Sequence, residues 1–143
     1  MNKYSGQCQC GQTKVVISLT RSLDQYSPRL CDCHFCVARN ISYLSDTEGE
    51  LDIRTSASLE MQHQGSNQAD FITCNNCQTV IAATYQIENK LIGALNSRLL
   101  SDFKQLQQAT VVSPKKLRAT DKVTRWEMLW MNLNVNNSIT SET

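Results

Sequence analysis

Short runs of β-branched and aliphatic residues recur along the chain with polar turns between them. Thr13-Lys14-Val15-Val16-Ile17-Ser18-Leu19 is β-branched and partly alternating, which predicts a strand. Ile41-Ser42-Tyr43-Leu44 predicts another. After the turn signal Asp46-Thr47-Glu48-Gly49, residues Glu50-Leu51-Asp52-Ile53-Arg54 alternate with period two, the pattern of a half-buried strand. Two hairpins follow. Glu60-Met61-Gln62-His63-Gln64 and Ala69-Asp70-Phe71-Ile72-Thr73 flank Gly65-Ser66-Asn67. The run from Thr79 to Ile87 meets Leu91-Ile92-Gly93-Ala94-Leu95 across Glu88-Asn89-Lys90.

The last third differs. Ser113-Pro114 marks a break, and from Asp121 the apolar residues Val123, Trp126, Leu129 and Trp130 recur at helical spacing. This predicts a short helix with Thr120 or Asp121 near its N-cap. From Asn132 to Thr143 the chain turns polar and is expected to fray, leaving one domain over residues 1–131. Short strands separated by turns point to a mainly β fold of short antiparallel sheets, with the helix appended.

The seven cysteines change this picture most. They form three clusters, Cys8-Gln9-Cys10, Cys31-Asp32-Cys33-His34-Phe35-Cys36 and Cys74-Asn75-Asn76-Cys77. Two thiolate pairs can close a tetrahedral site, as structural zinc requires, while three ligands leave a position for water or substrate, as catalytic zinc requires. The expectation is two Zn²⁺ per chain. Cys8, Cys10, Cys74 and Cys77 hold a structural ion, and Cys31, Cys33 and Cys36 hold a catalytic one. Gly11, directly after Cys10, suits a knuckle that turns with φ > 0.

Alternatives stand beside each site. Cys74 and Cys77 could be a redox pair, although the βαβ context of such a motif is absent from the pattern. His34, or the more distant His63, could supply a fourth ligand and close the second site as a structural Cys₃His centre. Weak metal occupancy at the second site is a further alternative. If Cys31 and Cys33 lie in extended backbone they share a face, and Asp32 points away from them.

Charge excludes more than it suggests. Fourteen Lys and Arg face thirteen Asp and Glu in 143 residues, and ligation of two Zn²⁺ by seven thiolates brings the formal charge to about −2. That balance gives no support to general phosphate-backbone binding. The N-terminal residues lack the apolar run of a secretory signal, and no segment approaches the roughly 20 apolar residues of a membrane span. A cytoplasmic location is expected, and in a reducing compartment an odd number of thiols points to metal ligands before disulfides. No phosphate loop, nucleophile elbow or H-E-x-x-H helix is present, and Asp24, Glu48, Glu50 and Asp52 pair into no recognisable acid/base dyad.

With these clusters in place, the chain resembles the glutathione-dependent formaldehyde-activating enzyme family, whose domain is shared with centromere protein V. The resemblance runs from Gly6-Gln7-Cys8-Gln9-Cys10-Gly11 through the C-x-C-x-x-C element at residues 31–36 to Cys74-Asn75-Asn76-Cys77 and the following hairpin. It implies a zinc-bound β sandwich and the same division of ligands into a structural quartet and a catalytic trio. It also implies a carbon–sulfur lyase activity that joins glutathione and formaldehyde into S-hydroxymethylglutathione. The expected partner is then a small thiol or thiol–aldehyde adduct such as glutathione. Two positions depart from the family pattern: Asp32 stands where His is common, and Gln78 where Gly is common.

A second functional class competes. A non-catalytic zinc module for protein or nucleic-acid binding would use the basic stretch Lys115, Lys116, Arg118, Lys122 and Arg125 with Trp126 and Trp130. Such a run is more often a solvated helix face, and two tryptophans four residues apart more often pack a helix on its sheet.

Overall fold

The structure, a computed structural model, describes residues 1–63, 69–113 and 117–137, excluding the side chains of residues 34, 63, 119 and 137. Among the described residues eleven strands form one connected sheet: β1 (Asn2–Gln7), β2 (Thr13–Leu19), β3 (Arg29–Cys31), β4 (Ser42–Leu44), β5 (Glu50–Thr55), β6 (Leu59–His63), β7 (Asp70–Cys74), β8 (Val80–Ile87), β9 (Lys90–Asn96), β10 (Thr110–Val112) and β11 (Met131–Asn137). The α-helices among the described residues are α1 (His34–Ala38) and α2 (Ala119–Leu129). The mainly β expectation therefore holds.

The strand order is β1-β2-β5-β11-β9-β4-β3-β10, and the sheet branches at β9. There β9 pairs with β8 along its length, and also with β11 at Ile92 and Gly93 and with β4 at Leu95 and Asn96. β8 in turn carries β7 and β6 as a separate limb. Gly93 permits the crowding at the branch, since a Cβ there would lie 2.6 Å from the carbonyl oxygen of Ala83 and 2.9 Å from Leu133 Cδ1.

Alternation predicts the core correctly. In β2, Val15, Ile17 and Leu19 are buried, and in β5 Leu51 and Ile53 are buried while Arg54 is exposed. Together with Met131, Leu133, Ile72, Ile81 and Leu95 they form one apolar cluster. Each such side chain contributes about 1.5–3 kcal/mol of hydrophobic stabilisation on full burial.

The sheet is mixed, and this departs from the antiparallel expectation. β10 runs parallel to β3, and β11 parallel to β5. Parallel partners lie far apart in the chain, so no turn chemistry announces them.

The largest correction concerns the C-terminus. Residues 132–137, expected to fray, belong to β11, which lies between β5 and β9 with Met131 and Leu133 buried. Their alternation of Asn with Leu and Val is a strand signal hidden by polarity. Residues 138–143 lie outside the described residues, as do Gly65-Ser66-Asn67, Pro114, Lys115 and Lys116.

Smaller differences follow from local chemistry. The helix begins at Ala119 with Arg118 as its N-cap, and Arg118 Nε lies 3.6 Å from the Asp121 carboxylate in the first turn. Lys90 already pairs with Ile87, so the hairpin link is Glu88-Asn89, with Glu88 at φ +52°. The segment over residues 20–28 contains a helical turn at Leu23–Gln25 and buries Leu23 and Tyr26. No helix among the described residues is long and apolar enough to cross a membrane.

Candidate metal centres

Two cysteine groups converge, each with all its sulfurs within 4.8 Å of one another: Cys8, Cys10, Cys74 and Cys77, and separately Cys31, Cys33 and Cys36. Both ligand sets expected from the sequence are thus assembled. A tetrahedron with metal–sulfur bonds of about 2.3 Å has sulfur–sulfur edges of about 3.8 Å. Cys8 Sγ lies 3.5 Å from Cys10 Sγ, and Cys10 Sγ lies 3.8 Å from Cys74 Sγ. The quartet therefore fits a tetrahedral thiolate-bound cation.

Two knuckles carry the quartet. Cys8 and Cys10 occupy the turn between β1 and β2, where the Gly11 N–H donates to the Cys8 carbonyl and Gly11 takes φ +80°, as expected. Cys74 ends β7, and the Gln78 N–H donates to the Cys74 carbonyl with Gln78 at φ +62°. The Thr13 N–H points at Cys8 Sγ, 3.4 Å away.

The connection between β5 and β6 draws these knuckles together. The Ser56 N–H donates to the Gln12 carbonyl beside the first knuckle, and the Asn75 N–H donates to the Ser58 carbonyl beside the second. The Asn75 amide also donates to Ser58 Oγ at 3.0 Å. Nothing in the cysteine spacing marks Ser56 and Ser58 for this role.

Electrostatics within the quartet favour a cation. Burial pushes the Cys8 thiol up to about 11 despite the Thr13 N–H. Burial also opposes ionisation of Cys77, yet the Thr79 hydroxyl and the Cys10 and Thr79 N–H groups bring it down to about 6. Hydrogen bonds from the Asn76 side chain and the Gln12 N–H lower Cys10. A divalent ion offsets the repulsion among four crowded thiolates, which is how such ligation couples to folding.

The trio is built from the end of β3 and the start of α1. Cys31 closes the strand, and Cys33 is the helix N-cap, its sulfur accepting from the Cys36 N–H at 3.4 Å. One helical turn then brings Cys36 round beside Cys33. Asp32 turns away as expected: its N–H donates to the Val112 carbonyl of β10, and Ser113 Oγ donates to its Oδ2 at 2.5 Å. Its buried Oδ1 has no hydrogen-bond partner among the described residues.

The trio differs from the quartet in its surroundings. Cys36 is buried while Cys31 and Cys33 are half-buried, so the cluster is approached from the Cys31 and Cys33 side. Phe35, Tyr43 and Phe71 pack behind it, with the Phe35 and Phe71 ring centroids 4.6 Å apart. The Arg39 guanidinium lies over the Phe35 ring at 3.9 Å. Hydrogen bonding from Cys36 draws the Cys31 thiol down to about 6, and the same interaction together with burial drives Cys36 upward.

Tyr43 is the neighbour of the trio that sequence reasoning missed. Its hydroxyl sits 3.1 Å from Cys36 Sγ, and burial, followed by the charge of Cys36, raises it well above the usual tyrosine value. Its position in a short apolar strand carried no such signal. Among the described side chains no fourth His, Cys, Asp or Glu joins the trio. The side chains of His34 and His63, each considered as a fourth ligand, lie outside the described residues.

Trp126 is buried, stacks on Trp130 at 4.9 Å and meets Tyr85 at 5.4 Å, so it packs α2 against the sheet. Glu50 and Asp52 both accept from the Asn134 amide, and Asp24 accepts from Ser22 Oγ.

No family model and no curated protein matches this chain. Among solved structures, the crystal structure of a Rhodobacter sphaeroides protein from a structural genomics programme aligns with 68% of this chain and 87% of its own length, at a TM-score of 0.51 and 24% identity. That likeness concerns the fold alone.

Proposed function

We propose that this protein is a zinc-dependent carbon–sulfur lyase-like enzyme of the cytoplasm, acting on a small thiol or thiol–aldehyde adduct. One observation carries the reading: three convergent cysteine sulfurs, two of them half-buried and reachable, form a group with no fourth donor among the described side chains. Zinc is the ion that best matches all-thiolate donors at tetrahedral spacing. The resemblance in cysteine order and spacing to the glutathione-dependent formaldehyde-activating family supplies the reaction class.

Zinc bound by the trio would supply Lewis acidity and favour the thiolate form of a substrate thiol. The protein's own contributions follow from the geometry. Cys33, as N-cap, fixes Cys36 relative to Cys31. Tyr43 holds a hydroxyl against Cys36 Sγ, and Phe35 and Phe71 exclude water from that side. In the addition reaction the thiol sulfur bonds to the aldehyde carbon, the carbonyl electron pair moves to oxygen, and the thiol proton ends on that oxygen.

The test is to load the protein with two equivalents of zinc and follow adduct formation from glutathione and other small thiols with formaldehyde. Catalysis above the buffer rate that Cys33→Ala abolishes supports the reading. Full metallation of the trio without such a rate sinks it, and leaves the zinc module of protein or nucleic-acid interaction as the alternative.

A further inference from the structure

A cleft of about 300 Å³, with no cysteine among its lining residues, lies between the segment over residues 21–29, the turn over residues 44–47 and the end of α2. We propose that it binds a small oxyanion, a carboxylate or a phosphate, with Arg29 as the principal ligand. Arg29 heads β3, lines the cleft and is half-buried. Its Nη2 donates to Ser45 Oγ at 2.5 Å, and no carboxylate among the described residues pairs with it.

A guanidinium partly desolvated without a counter-ion among the described residues is destabilising, and its remaining N–H donors match the two oxygens of a carboxylate or phosphate. The surrounding charges strengthen this preference. Arg125 adds a like charge that acts on Arg29. Arg21, at another wall of the cleft, lies over the Tyr26 ring at 4.7 Å. Asp46 is the one carboxylate among the lining residues, and its Oδ2 is already engaged by the Thr20 and Tyr26 hydroxyls at 2.5 and 2.6 Å. Two guanidiniums thus face one committed carboxylate. Ser45 uses an oxygen lone pair on Arg29, which leaves its hydroxyl proton for a bound anion.

The experiment uses the full-length, zinc-loaded protein and records backbone amide shifts during separate titrations with inorganic phosphate and with acetate, at ionic strength held constant with sodium chloride. Saturable shifts confined to residues 21–29 and 44–47 are expected. Saturation by phosphate assigns a phosphate ligand, and saturation by acetate alone a carboxylate. Arg29→Gln is expected to weaken binding about tenfold or more. Should that variant not fold, Arg21→Gln is expected to weaken it a few-fold, and the titration of the unaltered protein remains decisive. Shifts no larger than those from chloride, shifts centred on residues 31–36, or unchanged affinity in folded Arg29→Gln would each overturn the proposal.

Discussion

The Tyr43 hydroxyl lies 3.1 Å from Cys36 Sγ, joining a buried side chain of β4 to the least accessible sulfur of the trio. A phenol held well above its usual pKa stays protonated at neutral pH, so toward a ligating thiolate it donates. Hydrogen bonds of this kind orient a metal ligand and tune its basicity.

Removing only that hydroxyl is therefore informative. Tyr43→Phe is expected to weaken metal binding at the trio by about tenfold to a hundredfold while the quartet keeps its ion. Competition with a chromogenic chelator, resolving the two ions, measures this. Equal affinity in the variant would mean the contact is packing alone.

The two cysteine groups should fail differently. Cys74→Ser removes a ligand that joins β7 to the β1–β2 knuckle, and structural zinc is linked to about 10–16 kcal/mol of apparent binding free energy. That variant is expected to lose its cooperative thermal transition. Cys33→Ser, which alters the trio alone, is expected to stay folded with one tightly held zinc. Circular dichroism together with metal analysis separates these outcomes.

Gln78 adopts φ +62°, a left-handed conformation that a side chain disfavours. Gln78→Gly relieves this while giving up the exposed hydrogen bond from its Nε2 to the Asn75 carbonyl. A net gain of about 0.5–1 kcal/mol is expected, read as a higher melting temperature at fixed zinc concentration. A drop would show that the side-chain bond outweighs the backbone strain.

Asp46 stabilises the fold as an anion. Burial works against its charge, but the Thr20 and Tyr26 hydroxyls and the Thr20 and Glu48 N–H groups bring its pKa down from 3.8 to about 2. Because the folded value is depressed, the contribution is fully present above 3.8 and is lost as pH falls through 2. Solvent screening of this half-buried group limits it to about 1 kcal/mol. Asp46→Asn is expected to lower stability by that amount equally at every pH between about 5 and 8. Denaturant unfolding across this range checks the flatness of the difference.

β11 should prove indispensable. Leu133 is buried between neighbouring strands, and Leu133→Ala is expected to cost about 2–4 kcal/mol. Truncation after Met131 is expected to abolish folding, since β5 and β9 would lose the strand that joins them. A folded, zinc-binding truncate would contradict the strand's place in the sheet.

How much of this was legible beforehand depended on the range of each interaction. Sequence alone determined which cysteines gather, because their spacing encodes knuckles directly, and it determined the cores of β2 and β5, because alternation encodes which face is buried. It also placed the left-handed turn at Gly11. Only the tertiary structure decided what lay beyond local range. It put Tyr43 on Cys36, laced Ser56 and Ser58 to the two quartet knuckles, and drew a polar C-terminal segment into the sheet beside β5. Each of these joins residues whose separation along the chain leaves no periodic trace, so their pairing became visible only when the packed core fixed which surfaces meet.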